Sequence, residues 1–171
     1  MLGRSISRNS LLLALFAVST TILISGTYLL TRERITEQQR LAEEKALLEI
    51  VPREQHDNVM LDDTLPVGGE SGLGLREPRQ IYRARRNGEV ISVIIPVTAT
   101  DGYSGDIDLI VGVNRDGSVA GVRTLKHRET PGLGDKVDLK KSDWILDFTG
   151  RSLRQPAPYE WAVKKDGGVF D

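Results

Sequence analysis

The stretch QIYRARRNGEVISVIIPVT, residues 80–98, predicts a β-hairpin. Residues 80–85 and 89–98 carry many β-branched side chains, which pack well on a pleated sheet. Between them lies Asn87-Gly88, a dipeptide typical of the two-residue turn that joins antiparallel strands. The sequence therefore places two paired strands at the centre of its folded part.

Two further strands are predicted downstream of the hairpin. Residues 107–113 and 118–125 have the same β-branched character, and the Arg-Asp-Gly sequence at 115–117 supplies a turn between them. Four strands joined by short connections favour an antiparallel sheet. With the helical segments described below, the predicted fold class is α+β, with a small antiparallel-sheet domain over residues 79–171.

Shorter elements are predicted on both sides of the four strands. Ser142 is a favourable helix cap for a short helix over residues 142–148, and residues 160–163 are predicted to form a last strand. Residues 51–78 are predicted to be a loop-rich linker. Its tract GGESGLG, residues 68–74, is interpreted as flexible because no Lys-Ser/Thr pair follows to make a phosphate loop.

The N-terminal part of the chain contains a long uncharged run, LLLALFAVSTTILISGTYLL, at residues 11–30. A helix of about twenty residues is roughly 30 Å long, enough to cross the hydrocarbon core of a bilayer. We predict a transmembrane helix there, and a helical extension over residues 31–50, which contain no Gly or Pro. A cleaved signal peptide and a buried core helix are the alternatives; no clear cleavage site follows the run.

Basic residues flank this run on both sides. Residues 1–10 contain Arg4 and Arg8 and no acid, which favours a cytoplasmic N-terminus. Four basic residues also follow the run closely: Arg32, Arg34, Arg40 and Lys45. The charge count alone therefore leaves the orientation of the span open.

Composition excludes several classes of function. The 171 residues include no cysteine, which excludes disulfides, thiolate zinc sites, iron–sulfur clusters and cysteine nucleophiles within them. A net charge of −1 argues against nucleic-acid binding, which requires a basic surface. His56 and His127 lie far apart in the sequence and have no histidine neighbours, so no metal site is predicted.

Two glycine-containing loops are the candidate ligand sites. In residues 127–136, the glycine loop, Gly132 and Gly134 permit positive φ and a close approach of the main chain to a ligand. Leu133 offers an apolar contact to a flat ring, Thr130 a hydroxyl and Glu129 a carboxylate. Successive N–H groups around such glycines can also bind an anion. The alternative is a plain turn between elements.

Two other residues are candidate ligand contacts. In residues 101–106, the aromatic loop, Tyr103 lies between two glycines and is suited to stacking on a planar ligand. Lys164, in a Lys-Lys pair near the end of the chain, could neutralise a phosphate. The alternatives are local packing for the tyrosine and simple solvation for the lysine.

Three segments together resemble a known family. They are GYSGDIDLIVGVNRDGSVAGVRTLKHRETPGLGDKV at 102–137, SDWILDFTGRSL at 142–153 and WAVKKDGGVFD at 161–171. They resemble the G subunit of the bacterial Rnf (or Rsx) electron-transport complex, which is itself similar to the C subunit of the sodium-pumping NADH:quinone reductase. The single N-terminal span and the helix after it fit the same family.

The resemblance implies an FMN-binding domain that relays electrons between ferredoxin and NAD, coupled to ion transport. It implies a single-pass protein of the bacterial inner membrane, with its domain on the periplasmic side and the A, B, C, D and E subunits as partners. The matching cofactor-binding positions are Tyr103, Glu129, Thr130, Gly132, Leu133, Gly134 and Lys164. No dinucleotide fingerprint follows a predicted strand, so nicotinamide binding is not expected here.

The flavin-attachment motif of the family does not occur in these residues. The family carries FMN covalently, through its phosphate, on the last threonine of a Ser/Thr-Gly-Ala-Thr motif that follows the GGxFD element. Here GGVFD ends at Asp171, and we expect the attachment threonine beyond it. Thr130 belongs to another motif and is no substitute. The alternative is a flavin-free scaffold or regulatory subunit of the same complex.

Overall fold

The computed structural model describes the backbone of residues 2–170 and the side chains of residues 8–170. The chain divides into two compact units, a helical one that ends at Glu43 and a larger one that begins at Glu44. The first unit is made of one helix, and the second contains a five-stranded sheet.

Helix α1 spans Leu2–Ile50 and includes both the predicted transmembrane run and its predicted extension. By length and composition, it is long and apolar enough to cross a membrane. Its apolar side chains between residues 11 and 30 are exposed, so they do not form a protein core. Four hydroxyls in this region, those of Ser19, Thr20, Thr21 and Thr27, donate to main-chain oxygens about one turn earlier; Thr21 donates to Ala17 O at 2.8 Å. Such bonds satisfy the hydroxyls inside an apolar environment.

The last turns of α1 belong to the second unit. Leu47 and Ile50 are buried in its core, where Tyr82, Ile94 and Ile110 contribute from the sheet. Glycine in the neighbouring strands makes room for this packing, because a Cβ at Gly112 would lie 2.3 Å from Ile50 Cγ2. The helix end is therefore a structural part of the sheet domain.

The sheet is an antiparallel meander with strand order β1-β2-β3-β4-β5. The four predicted strands are confirmed as β2 to β5, and Asn87-Gly88 forms the predicted turn, with both residues at positive φ. The bounds of the strands are β1 Thr64–Val67, β2 Arg79–Arg86, β3 Glu89–Ala99, β4 Ile107–Asn114 and β5 Val119–Lys126.

Three shorter segments differ from the sequence prediction in part. The segment 51–78 contains a strand, β1, because residues 64–67 pair with the outer edge of β2. The predicted helix over 142–148 is a 3₁₀ helix, Asp143–Phe148, with Ser142 as its cap. The prediction of a strand over 160–163 is wrong. That segment pairs only with residues at the end of the described chain, through a single bridge between Val163 and Phe170, so no ladder forms.

Candidate functional site

Both candidate loops lie at the same end of the sheet. The aromatic loop joins β3 to β4, and the glycine loop follows β5. In the register of the sheet, Ala99 pairs with Ile107 and Asp108 pairs with Lys126. Because these strands alternate in direction, the end of β3, the start of β4 and the end of β5 meet at one end of the sheet. Residues that are far apart in sequence are thus brought together.

Glu129 connects the two loops. Its Oε1 accepts a hydrogen bond from the main-chain N–H of Ser104 at 2.9 Å. The residue is only 9% exposed. Two glycines make space for the carboxylate: a Cβ at Gly102 would lie 3.1 Å from Oε1, and one at Gly134 would lie 2.5 Å from Oε2. Glu129 therefore faces the aromatic loop, and its carboxylate fixes the distance between the two main chains.

The glycine loop is a closed turn. Leu133 and Gly134 both donate their N–H groups to Thr130 O at 3.1 Å, and Gly132 donates to Asp135 Oδ1 at 2.7 Å. These N–H groups are already engaged, so the loop is not an open anion-binding concavity. A ligand would meet its side chains instead.

The two glycines of this loop have different roles. Gly132 has φ of +79°, as the sequence predicts. Gly134 does not use this freedom, since its φ is −96°. Glycine is required at 134 because Glu129 packs against its Cα, whereas at 132 it is required by the backbone conformation.

Each loop presents one exposed apolar side chain. Tyr103 is 94% exposed on the aromatic loop, and Leu133 is 76% exposed on the glycine loop. Thr130 is exposed beside them. This end of the sheet thus presents an aromatic ring, an aliphatic side chain and a hydroxyl. Such a set fits a flat, partly apolar ligand that also accepts hydrogen bonds.

Lys164 lies on a different element from the other six candidate residues. It begins a 3₁₀ turn, Lys164–Asp166, in the last part of the described chain. This part packs through Trp161 and Phe170 on Phe148, whose ring is stacked on Phe170 with centroids 4.6 Å apart. The 3₁₀ helix that contains Phe148 contacts the turn at the end of the glycine loop. Phe148, Trp161 and Phe170, the aromatic cluster, thus link the segment that contains Lys164 to the glycine loop.

A group of ion pairs beside the aromatic loop is not evident from the sequence. Arg76 donates two hydrogen bonds to Asp106, Nε to Oδ2 at 2.8 Å and Nη2 to Oδ1 at 3.0 Å. These bonds lower the pKa of Asp106 below its ordinary value. Arg79 pairs with Asp108 at 3.2 Å, and Thr98 donates to the same carboxylate at 2.7 Å. They line a cavity of about 310 Å³.

The segment before β2 is docked on the sheet and carries Arg76. Thr98 donates its N–H to Leu73 O at 2.8 Å, and Leu75 is buried. A Cβ at Gly74 would lie 2.1 Å from Thr98 O, and its φ is +72°, so only glycine fits. The interpretation of residues 68–74 as flexible is therefore wrong at the end of that tract, which is fixed against β3. Among the described residues, no group of His, Asp or Glu could hold a metal ion.

Two family models match the chain. The model of the RnfG N-terminal region matches residues 1–50, and that of the FMN-binding domain matches residues 102–170. The second range contains both loops, the aromatic cluster and Lys164. FMN is the cofactor that this domain type binds, and the exposed ring, aliphatic and hydroxyl groups are suited to it.

Curated relatives match over almost the whole chain. A protein of Pseudoalteromonas atlantica is 48% identical over 97% of this chain and 77% of its own length. One of Pseudomonas aeruginosa is 49% identical over 98% and 78%, and one of Shewanella loihica 46% identical over 98% and 79%. Each is the G subunit of an ion-translocating oxidoreductase complex. This chain belongs to the RnfG family. The resemblance and the α+β fold inferred from the sequence are thereby confirmed.

Proposed function

We propose that this protein carries FMN and relays electrons within a membrane-bound ion-translocating oxidoreductase complex. The observation that carries the proposal is the FMN-binding domain match over residues 102–170, which coincides with the two joined loops and their exposed apolar side chains. The flavin supplies the redox chemistry when bound. The chain supplies binding, orientation and electrostatics.

Different residues of the described chain would contact different parts of the flavin. Tyr103 and Leu133 are exposed on the two loops and would contact its ring system. The Thr130 hydroxyl would donate to a flavin oxygen or nitrogen. Glu129 would act indirectly, by holding the aromatic loop to the glycine loop. Lys164 would balance charge on the phosphate from the neighbouring segment.

The attachment of the flavin is proposed to be covalent. By family resemblance, the phosphate would be esterified to a threonine of a Ser/Thr-Gly-Ala-Thr motif that follows GGVFD. These 171 residues do not contain that motif. A phosphoester tether would keep FMN on the domain in a compartment from which free flavin would otherwise be lost.

The proposed setting is the bacterial inner membrane, with one span and the domain on the periplasmic side. A helix long and apolar enough to cross a membrane supports the span. The proposed partners are the A, B, C, D and E subunits of the complex, and the proposed overall reaction moves electrons between ferredoxin and NAD. Family membership supports a place in such a complex, because the relatives are themselves parts of one.

The decisive experiment follows flavin through denaturation. The full-length gene product is purified with its complex from native membranes, denatured and run on a gel, and flavin fluorescence is recorded in the band and in the protein-free supernatant. Fluorescence in the band is the expected result, with a peptide mass that locates the adduct. Fluorescence only in the supernatant would contradict covalent attachment but keep the carrier role. Flavin in neither, with the full tail confirmed by mass, would support the flavin-free scaffold instead.

A further inference from the structure

The aromatic loop is a turn, with the Gly105 N–H donated to Gly102 O at 3.3 Å, and its tyrosine has few contacts of its own. Tyr103 lies between Gly102 and Gly105, and Gly105 has φ of +119°. Its ring is 94% exposed and so has little packing of its own. A side chain on such a loop must be ordered when it contacts a ligand, and that ordering opposes binding. Whatever fixes the loop beforehand therefore affects how the ring meets the flavin.

The loop is fixed at two points, both of which follow Tyr103 in the sequence. On the glycine-loop side, Ser104 is bound by Glu129 at 2.9 Å. Two residues later, Asp106 is bound by Arg76 through two hydrogen bonds of 2.8 and 3.0 Å. A bidentate guanidinium–carboxylate pair fixes orientation as well as distance. Only the first of these anchors belongs to the glycine-rich motif.

Arg76 is itself held by the sheet. Two residues before it, Gly74 packs against Thr98 O, and Leu75 is buried. Three residues after it, Arg79 begins β2 and pairs with Asp108 on β4. The guanidinium group therefore projects from a short segment that is tied to the sheet on both sides.

We propose that Arg76 is a positioning residue of the flavin site, which orients the aromatic loop through Asp106 and so presets Tyr103 for contact with the ring. This inference rests on the proposed FMN site. Arg76 does not touch the flavin in this scheme; it acts through the carboxylate. The pair is 69% and 35% exposed on its two side chains, so it contributes little to overall stability. Its effect is to order the aromatic loop.

The test uses the full-length, flavin-loaded protein in its complex. Arg76→Ala and Asp106→Ala are compared with Tyr103→Ala, by flavin fluorescence, visible circular dichroism and midpoint potential. A stacked tyrosine quenches flavin fluorescence, so both anchor variants should raise it towards the Tyr103→Ala value and shift the dichroism in the same direction. The double variant Arg76→Ala/Asp106→Ala should equal either single one, because the two groups act as a unit.

Two further variants separate positioning from a general charge effect. The reversed pair Arg76→Asp/Asp106→Arg should recover most of the wild-type signal. Arg115→Ala is the matched control, since it removes an exposed pair with Glu89 at 2.7 Å from the opposite end of the sheet. That control should leave the flavin signals unchanged.

The failure of this inference is distinguishable from failure of the proposed function. If Tyr103→Ala changes the flavin signals and both anchor variants leave them unchanged, the positioning role is overturned and the flavin site stands. If none of the three variants changes them while flavin is bound, the aromatic loop does not contact the flavin: the positioning role is overturned and Tyr103 is removed from the proposed site, while the carrier role stands. If a single anchor variant does not fold, the reversed-pair variant decides. Wild-type flavin signals in that variant support the positioning role. A reversed-pair variant that folds like the wild type but lacks those signals overturns the role.

Discussion

Ser104 donates its main-chain N–H to Glu129 Oε1 across 25 positions of sequence, at 2.9 Å. This bond makes one structural unit of two loops that leave the sheet separately. The carboxylate is almost fully buried, so loss of its oxygen would leave the Ser104 N–H without its partner. Mutation of Glu129 measures the consequences for both stability and flavin binding.

Glu129→Ala is expected to destabilise the domain by about 1–3 kcal/mol, the usual cost of leaving a buried polar group unpaired. Glu129→Gln keeps an oxygen that can accept from Ser104 and should cost less. Urea unfolding followed by tryptophan fluorescence measures both, because Trp144 and Trp161 lie in the sheet domain. Flavin content should fall in the same order. Equal unfolding midpoints for the wild type and Glu129→Ala would contradict the bond's role.

Alanine at each of the two loop glycines should act through a different mechanism. Gly132→Ala places a Cβ in open space but at φ of +79°, which costs about 1–2 kcal/mol in a left-handed conformation. Gly134→Ala places a Cβ 2.5 Å from Glu129 Oε2, a steric overlap of typically about 1–3 kcal/mol. Both should lower the urea midpoint of unfolding.

Double variants distinguish the two mechanisms. In a Glu129→Ala background, Gly134→Ala should cost less than in the wild type, although residue 129 keeps a Cβ at 2.9 Å and relief is partial. Gly132→Ala should cost the same in both backgrounds, since nothing lies within 4 Å of its added Cβ. This account would be contradicted if the costs of both glycine variants simply added to the cost of Glu129→Ala.

Local signals explain which parts of the fold were predictable. The Asn87-Gly88 turn and the β-branched runs beside it are recognisable within a few residues, and the structure confirms them. Strand β1 has four residues and contains Pro66, so only its pairing with β2 makes it a strand. Residues 160–163 look strand-like locally, but Trp161 packs on Phe148 and Phe170, which come from elsewhere in the sequence.

The same distinction applies to the site. The glycine loop and Tyr103 can be selected by residue type and spacing, because glycine and aromatic residues have recognisable uses. The role of Gly134 depends on a tertiary contact with Glu129, and no periodicity reveals it. Arg76 and Asp106 are 30 positions apart, with the β2–β3 hairpin between them. The sequence shows Asp106 as an acid at a strand start, but it does not show the arginine that pairs with it.

Acid should weaken the start of β1 through Asp63. Burial opposes ionisation of this carboxyl, but hydrogen bonds from Arg85 and Arg83 outweigh it and lower the pKa below its ordinary value of 3.8. A carboxyl with a lowered folded-state pKa stabilises the fold above its unfolded pKa. That stability is lost as the pH falls below 3.8 through the folded-state value.

Asp63→Asn should therefore lower the free energy of unfolding at neutral pH, by about 1–3 kcal/mol for lost charged hydrogen bonds. Its unfolding free energy should also fall less steeply than the wild-type value as the pH is lowered below 3.8. Urea unfolding at a series of pH values measures both. Asp57→Asn is a suitable comparison, because Asp57 accepts one exposed bond from Asn87 N–H. Identical pH slopes in wild type and Asp63→Asn would contradict the assignment.

The orientation of the domain can be measured directly because the 171 residues contain no cysteine. Single cysteines are introduced at Ser71 and Leu153, which are exposed in the sheet domain, and at Asn9, which is exposed before the apolar run. Spheroplasts are treated with a membrane-impermeant maleimide before and after permeabilisation. With the domain in the periplasm, Ser71→Cys and Leu153→Cys should react in intact spheroplasts, and Asn9→Cys only after permeabilisation. Two domain positions are used because a partner protein that covers one of them would block its labelling. The reverse pattern would place the domain in the cytoplasm, where the basic residues that follow the apolar run would then satisfy the positive-inside tendency.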